Sequence, residues 1–235
     1  MSNSLDDLLE EARIDKNFGI AATKKQDFEG AVKFFARAVE RLKPYVPLES
    51  TGLGALTALE KQVASQLADC YGSLGGALRR NKEYVDSVQA YDNGFDIESN
   101  ERFGIVNSYN RVQRLVARIL AHDGLLDSPE SLKQLPVPEN KNVFSELVAA
   151  EQVIKGQLDG PRHGDRWAMA DQAMTSLLIG DYEGADSAWK RFEDSKPSPE
   201  AYKANRDVID LLRYKFSEGK MRTELDATYT RLTTS

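Results

Sequence analysis

The chain carries few of the residues from which catalytic sites are built. Its two histidines, His122 and His163, both stand in loop-like sequence beside Gly and Asp, and its one cysteine is Cys70. A zinc site takes about four closely placed ligands, and this set offers no such spacing. Cys70 precedes Tyr71 in helical sequence, where a thiol serves as a small buried filler. No G-x-S-x-G occurs, and no histidine lies near Cys70 along the chain. Gly72, Gly75 and Gly76 could suggest a phosphate loop, yet no Gly-Lys-Ser/Thr follows and the context is mid-helix. Carboxylate pairs such as Asp6-Asp7 and Glu10-Glu11 fall on a polar helix face, where solvation keeps them out of acid–base chemistry. The reading is of a protein that is not an enzyme, with no cofactor and no metal.

Two constellations point to binding instead. Asn107, Arg111, Arg114 and Arg118 are spaced 0, 4, 7 and 11, one narrow stripe on a helix. Like charges at that spacing repel, so an anion opposite them would be favoured. Guanidinium forks suit carboxylate or phosphate. The alternative is a solvated face neutralised by Glu98, Glu101 or Asp123. The second constellation is the helix opening at Arg166. Met169, Ala173 and Leu177 form one apolar stripe, and Trp167, Ala170 and Met174 form another. The second stripe is either an anchor for a partner's apolar side chain or a surface covered by the chain's own helices.

Such stripes need elements to hold them, and the composition supports a folded body. The 235 residues are 41% hydrophobic and 29% charged, a balance that excludes a disordered tail. The net charge of −6 is solubilising and argues against a nucleic-acid-binding surface. No stretch approaches the roughly 20 apolar residues of a membrane span. MSNSLDDLLEEA lacks the basic-then-apolar character of a signal peptide and reads as a helix capped by Ser4. One cysteine allows no internal disulfide, so a cytoplasmic location is expected.

The apolar periodicity is helical nearly everywhere, with no convincing strand. The expected helices are 5–24, 28–43, 53–80, 83–97, 100–121, 142–158, 165–179, 182–194, 199–217 and 221–232. Pro44 and Pro47 end the second, and Ser198-Pro199-Glu200 opens the ninth with a cap and a first-turn proline. Residues 122–141, with Pro129, Pro136 and Pro138, read as a long exposed connection. Beneath the helices lies a repeat. Phe28, Ala31, Phe35 and Ala38 are spaced 0, 3, 7 and 10, and so are Tyr84, Ser87, Tyr91, Gly94 and Tyr182, Ala185, Trp189, Phe192. The preceding helices keep register through Phe18-Gly19, Leu74-Gly75 and Gln172-Ala173.

Tyr71-x2-Leu74-Gly75, Ala31-x3-Phe35, Ala185-x3-Trp189 and the terminating Pro197 resemble the tetratricopeptide repeat family. The intervals here are 56 and 98 residues, against about 34 in the family. The resemblance implies an all-α, right-handed solenoid of four to five antiparallel helix pairs. It would form one domain over 1–235, with clear units at about 11–44, 68–99 and 166–197. A degenerate unit at 100–158 and capping helices at 199–232 complete it. In that family the offsets of Trp167, Ala170 and Met174 face the concave groove. Lys16 matches one position of the family's carboxylate clamp, but Ile20 stands where its Asn belongs, so the clamp itself is not expected. The implied function is an adaptor or scaffold that binds a partner protein's peptide or amphipathic helix, with an acidic partner favoured by the arginines. The alternatives are a small anionic-ligand sensor and a subunit that self-assembles through its terminal helices.

Overall fold

In the computed structural model the described residues are 4–46 and 55–234. The sequence features that open helices do so as physical chemistry requires. Ser4 Oγ accepts from the Asp7 backbone N–H at 3.2 Å while Asp7 receives the Ser4 N–H at 3.1 Å. This reciprocal pair starts α1 (Leu5–Lys24). The chain continues through α2 (Phe28–Leu42), whose end runs into a 3-10 turn at Lys43–Tyr45 that contains Pro44. Pro47 and the first two residues of the expected 53–80 helix lie outside the described residues. Thr57 and Glu60 make a second reciprocal cap, so α3 covers Ala58–Arg80, followed by α4 (Tyr84–Glu98) and α5 (Tyr109–Ala121). Beyond come α6 (Val143–Leu158), α7 (Arg166–Ile179), α8 (Tyr182–Asp194), α9 (Pro199–Arg213) and α10 (Lys220–Thr234).

The protein is therefore mostly α-helical, and helices adjacent in sequence pack on one another. It divides into two compact units, Met1–Ala117 and Arg118–Ser235. In the first unit α1 packs on α2, α2 on α3 and α3 on α4. One apolar cluster joins Leu9 and Ala12 of α1 to Ala38, Val39 and Leu42 of α2 and to Val63, Leu67, Cys70 and Tyr71 of α3. In the second unit α6 packs on α7, α7 on α8 and α9 on α10.

The repeat register has a structural counterpart. Two residues before each opening aromatic the backbone turns left-handed, at Gln26 (φ 62°), Lys82 (φ 66°) and Gly180 (φ 85°). The next N–H reaches back to a carbonyl five residues earlier in all three: Asp27 to Ala22 at 3.0 Å, Glu83 to Leu78 at 2.9 Å and Asp181 to Ser176 at 2.9 Å. Asp27 and Asp181 then cap α2 and α8 through the Gly30 and Gly184 N–H groups. Inside the pairs, a Cβ on Gly19 would come within 2.6 Å of the Phe35 ring, and one on Gly75 within 2.8 Å of the Tyr91 ring. Small residues at this register let the helices close on an aromatic.

Three expectations are corrected. Residues 100–108 are not helical: Gly104 takes φ 64° after a turn at 101–103, and the chain has no regular structure from there until Tyr109. Residues 122–141 are packed rather than exposed. Leu126, Leu132, Leu135 and Val137 are buried, a 3-10 turn at Pro129–Gln134 rests on α6 and α7, and Leu126 bridges to Phe216. Two very short strands also occur, β1 (Pro136–Val137) and β2 (Lys141–Asn142), paired antiparallel. The prolines sit where no internal helix bond is lost, and the apolar residues between them supply the burial.

Candidate functional site

The arginine stripe is built differently from a plain helix face. Asn107 lies before α5, where its side-chain oxygen accepts from the Ser108 and Tyr109 N–H groups at 2.8 and 3.2 Å. Its amide donates to Glu98 at 2.8 Å, and Asn110 donates to the same oxygen of Glu98 at 2.8 Å. Arg114 is only 4% exposed, with its guanidinium 3.7 Å from the centre of the Phe95 ring and 3.9 Å from Asp92. Arg111 lies over the same ring at 4.7 Å. Arg111, Arg114 and Arg118 all have interactions within the protein. Phe95 thus lies against Arg111 and Arg114, Asp92 lies beside Arg114, and Glu98, one of the neutralising residues expected from sequence, engages Asn107.

Other expected positions separate as well. Lys16 is half-buried and ion-paired with Asp69 across the α1–α3 contact. Trp167 is 46% exposed on the first turn of α7, while Ala170 and Met174 of the same stripe are buried. Gly72 and Gly76 leave no open floor, because Tyr109 approaches both and Asn110 approaches Gly72.

Cys70 is fully buried, and burial, the largest influence, pushes its thiol up to about 11. His163 Nδ1 lies 3.3 Å from the Leu158 carbonyl, a turn contact. Among the described residues no group of three or more His, Cys, Asp or Glu side chains could hold a metal. Nor is any helix there long and apolar enough to cross a membrane.

Two surfaces were not visible as sites in the sequence. On α1, Ile14 and Phe18 are 44% and 52% exposed, and Phe18 stacks on Phe34 of α2 at 5.4 Å. In the second unit a cavity of about 240 Å³ opens between α8 and α10. Tyr182, Asp186 and Trp189 line one wall, and Glu224, Thr228 and Arg231 the other. Each triplet is spaced 0, 4 and 7, a signal that only becomes meaningful once α8 and α10 are known to face each other.

No protein-family model matches this chain, and no curated protein matches it in sequence.

Proposed function

We propose that this protein is a non-catalytic interaction module, a tetratricopeptide-like stack of helix pairs that receives an amphipathic helix of a partner protein. The observation that carries the reading is the free face of α1. Ile14, Phe18 and Ala21 are spaced 0, 4 and 7 and are all exposed. Moved on by the 56-residue repeat interval, they become Cys70, Leu74 and Ala77 of α3. Those residues pack against α2: Leu74 and Ala77 join Ala31, Phe34 and Phe35, and Cys70 lies with Ala38 and Val39. The same face thus takes a helix once inside the fold and stands open at α1, which argues for a helix as its occupant.

The rim of this face is electrically balanced. Arg13 pairs with Glu10 at 2.8 Å, Lys33 with Glu29 at 2.7 Å, and Arg37 with Asp15. A partner is then selected by apolar shape more than by charge, and an acidic partner is not required. Trp167 offers a second exposed anchor in the other unit. The arginine stripe, already engaged within the fold, has no part in this reading.

A photo-crosslinking amino acid at position 18 tests it in the native host. The expected adduct maps to a helical segment of another protein, and Phe18→Glu abolishes capture of that protein while the far-ultraviolet spectrum stays helical. Adducts only to a second copy of this chain would replace the adaptor reading with self-assembly. No adduct above that of a crosslinker at exposed Lys33 would overturn both.

A further inference from the structure

Arg79 of α3 is a buried cation without an anion. It is 4% exposed, and its guanidinium donates through Nη1 to the neutral side-chain oxygen of Gln113 on α5. That is its one hydrogen bond among the described residues, and no carboxylate there pairs with it. Arg114 shows what the fold does elsewhere: equally buried at 4%, it has Asp92 at 3.9 Å. Taking a guanidinium out of water without a counter-ion is unfavourable, which is why buried charges are paired as a rule. The remaining nitrogens of Arg79 are unbonded among the described residues but not sealed, so they stay open to a group from outside.

A second cation stands next to it. Arg80 is half-buried, its Nη1 donates to the Gly76 carbonyl at 3.2 Å, and no carboxylate among the described residues pairs with it either. Positions 79 and 80 are the i+3 and i+4 neighbours of Gly76 on the helix surface. From the point that a Gly76 Cβ would occupy, Arg80 Nη1 is at 3.2 Å, the Tyr91 hydroxyl at 3.5 Å and the Tyr109 hydroxyl at 3.6 Å. Tyr91 is fully buried, and its hydroxyl has no hydrogen-bond partner among the described residues. Burial holds the proton on that hydroxyl against the pull of both guanidinium groups, so it stays a donor. Two guanidinium groups and two phenols thus meet at one corner of α3, α4 and α5, all able to donate and none carrying negative charge. The corner lies within the first unit and needs nothing from the open face of α1.

We propose that this corner binds a phosphoryl dianion, held by the Arg79 and Arg80 guanidinium groups with the Tyr109 hydroxyl as a further donor. Two positive charges match a dianion, and donors arriving from separate side chains suit a tetrahedral group, whereas a single fork satisfies a planar carboxylate. The same group is offered by inorganic phosphate or by a phosphorylated side chain of another protein. Titration calorimetry of the full chain with inorganic phosphate, against sodium chloride at matched ionic strength, should give saturable binding. Binding should tighten from about pH 5 to about pH 7, where a phosphate gives up its second proton. Acetate should bind at least tenfold more weakly. Affinity should fall at least tenfold in Arg79→Gln and in Arg80→Gln and measurably in Tyr109→Phe, with the helical spectrum unchanged, while Lys33→Gln leaves it as in wild type. Should Arg79→Gln fail to fold, half-buried Arg80→Gln decides. N-acetyl-phosphoserine amide binding at least as tightly as phosphate assigns the site to a phosphorylated side chain; weaker binding assigns it to the free ion. A response that does not saturate, that acetate matches, or that Arg80→Gln leaves intact would overturn the proposal.

Discussion

Asp15 occupies the register position where Tyr71 and Met169 stand in the other pairs, and it shows how one residue changes what holds a pair together. Its carboxylate is buried and accepts from Arg41 Nε at 2.8 Å and from Arg37, while Arg41 also reaches Glu11. Burial alone would raise the Asp15 carboxyl, but the hydrogen bonds and charges of Arg37 and Arg41 outweigh it and hold it below its ordinary value. A depressed carboxyl contributes stability that is present above its unfolded value near 3.9 and lost as pH falls through the folded one. Asp15→Asn should therefore cost about 1–3 kcal/mol at pH 7 in chemical denaturation, less than a fully buried pair because the arginines reach water. The gap to wild type should close below about pH 4. The arginines of α5 make a second contrast. Arg114→Glu puts a buried anion beside Asp92 and should cost about 3–5 kcal/mol, whereas half-buried Arg111→Glu should cost under about 1 kcal/mol. Thermal melts of the two single variants separate these outcomes. Spacing alone treated the two residues as equivalent; which of them lies inward depends on Phe95, a residue of another helix.

At the scale of the element, most ends were legible and two starts were not, since the expected helices 53–80 and 100–121 begin only at Ala58 and Tyr109. Ser4 and Ser198 cap the helices as expected from sequence, and Asp165 and Asp181 prove to be caps as well. In 100–108, apolar Phe103 and Ile105 stand two residues apart, off the helical period, and pack outside any helix on the α1–α3 cluster. Gly104 was the signal that the helix had not yet begun. Residues 122–141 failed for another reason, since proline content suggested exposure and gave no hint of how well Leu126, Leu132 and Leu135 would be buried. The left-handed turn is where an element-level prediction belongs. A non-glycine residue there costs about 1–2 kcal/mol, partly offset in a glycine variant by the entropy of the unfolded chain. Lys82→Gly should raise stability by about 0.5–1 kcal/mol, and Gly180→Ala, at φ 85° with Pro129 Cγ 3.2 Å from the new Cβ, should lower it by about 1–2 kcal/mol. Equilibrium unfolding in urea reads both.

For the whole molecule, sequential pairing of helices followed from the register, because Gly19 with Phe35 and Gly75 with Tyr91 are close approaches that a repeat must reproduce. Where the open surfaces fall did not follow. An exposed face such as Ile14 and Phe18 has the same residue types as a buried one, and what distinguishes them is that no helix among the described residues covers it. The α8–α10 cavity was hidden for a related reason, since the matching residues of its two walls, such as Tyr182 and Glu224, are about 40 residues apart along the chain. No local pattern records that separation.

The single thiol has a practical side. Cys70 is sealed among the α1–α3 apolar residues and protonated at neutral pH, so the native surface presents no group to a maleimide. The wild-type chain is already the background that spectroscopists usually have to engineer by removing cysteines. One cysteine introduced into Met1–Ala117 and another into Arg118–Ser235 would be the two dye positions in the folded protein. The distance between the two units, and any change in it when a ligand or partner arrives, could then be followed one molecule at a time.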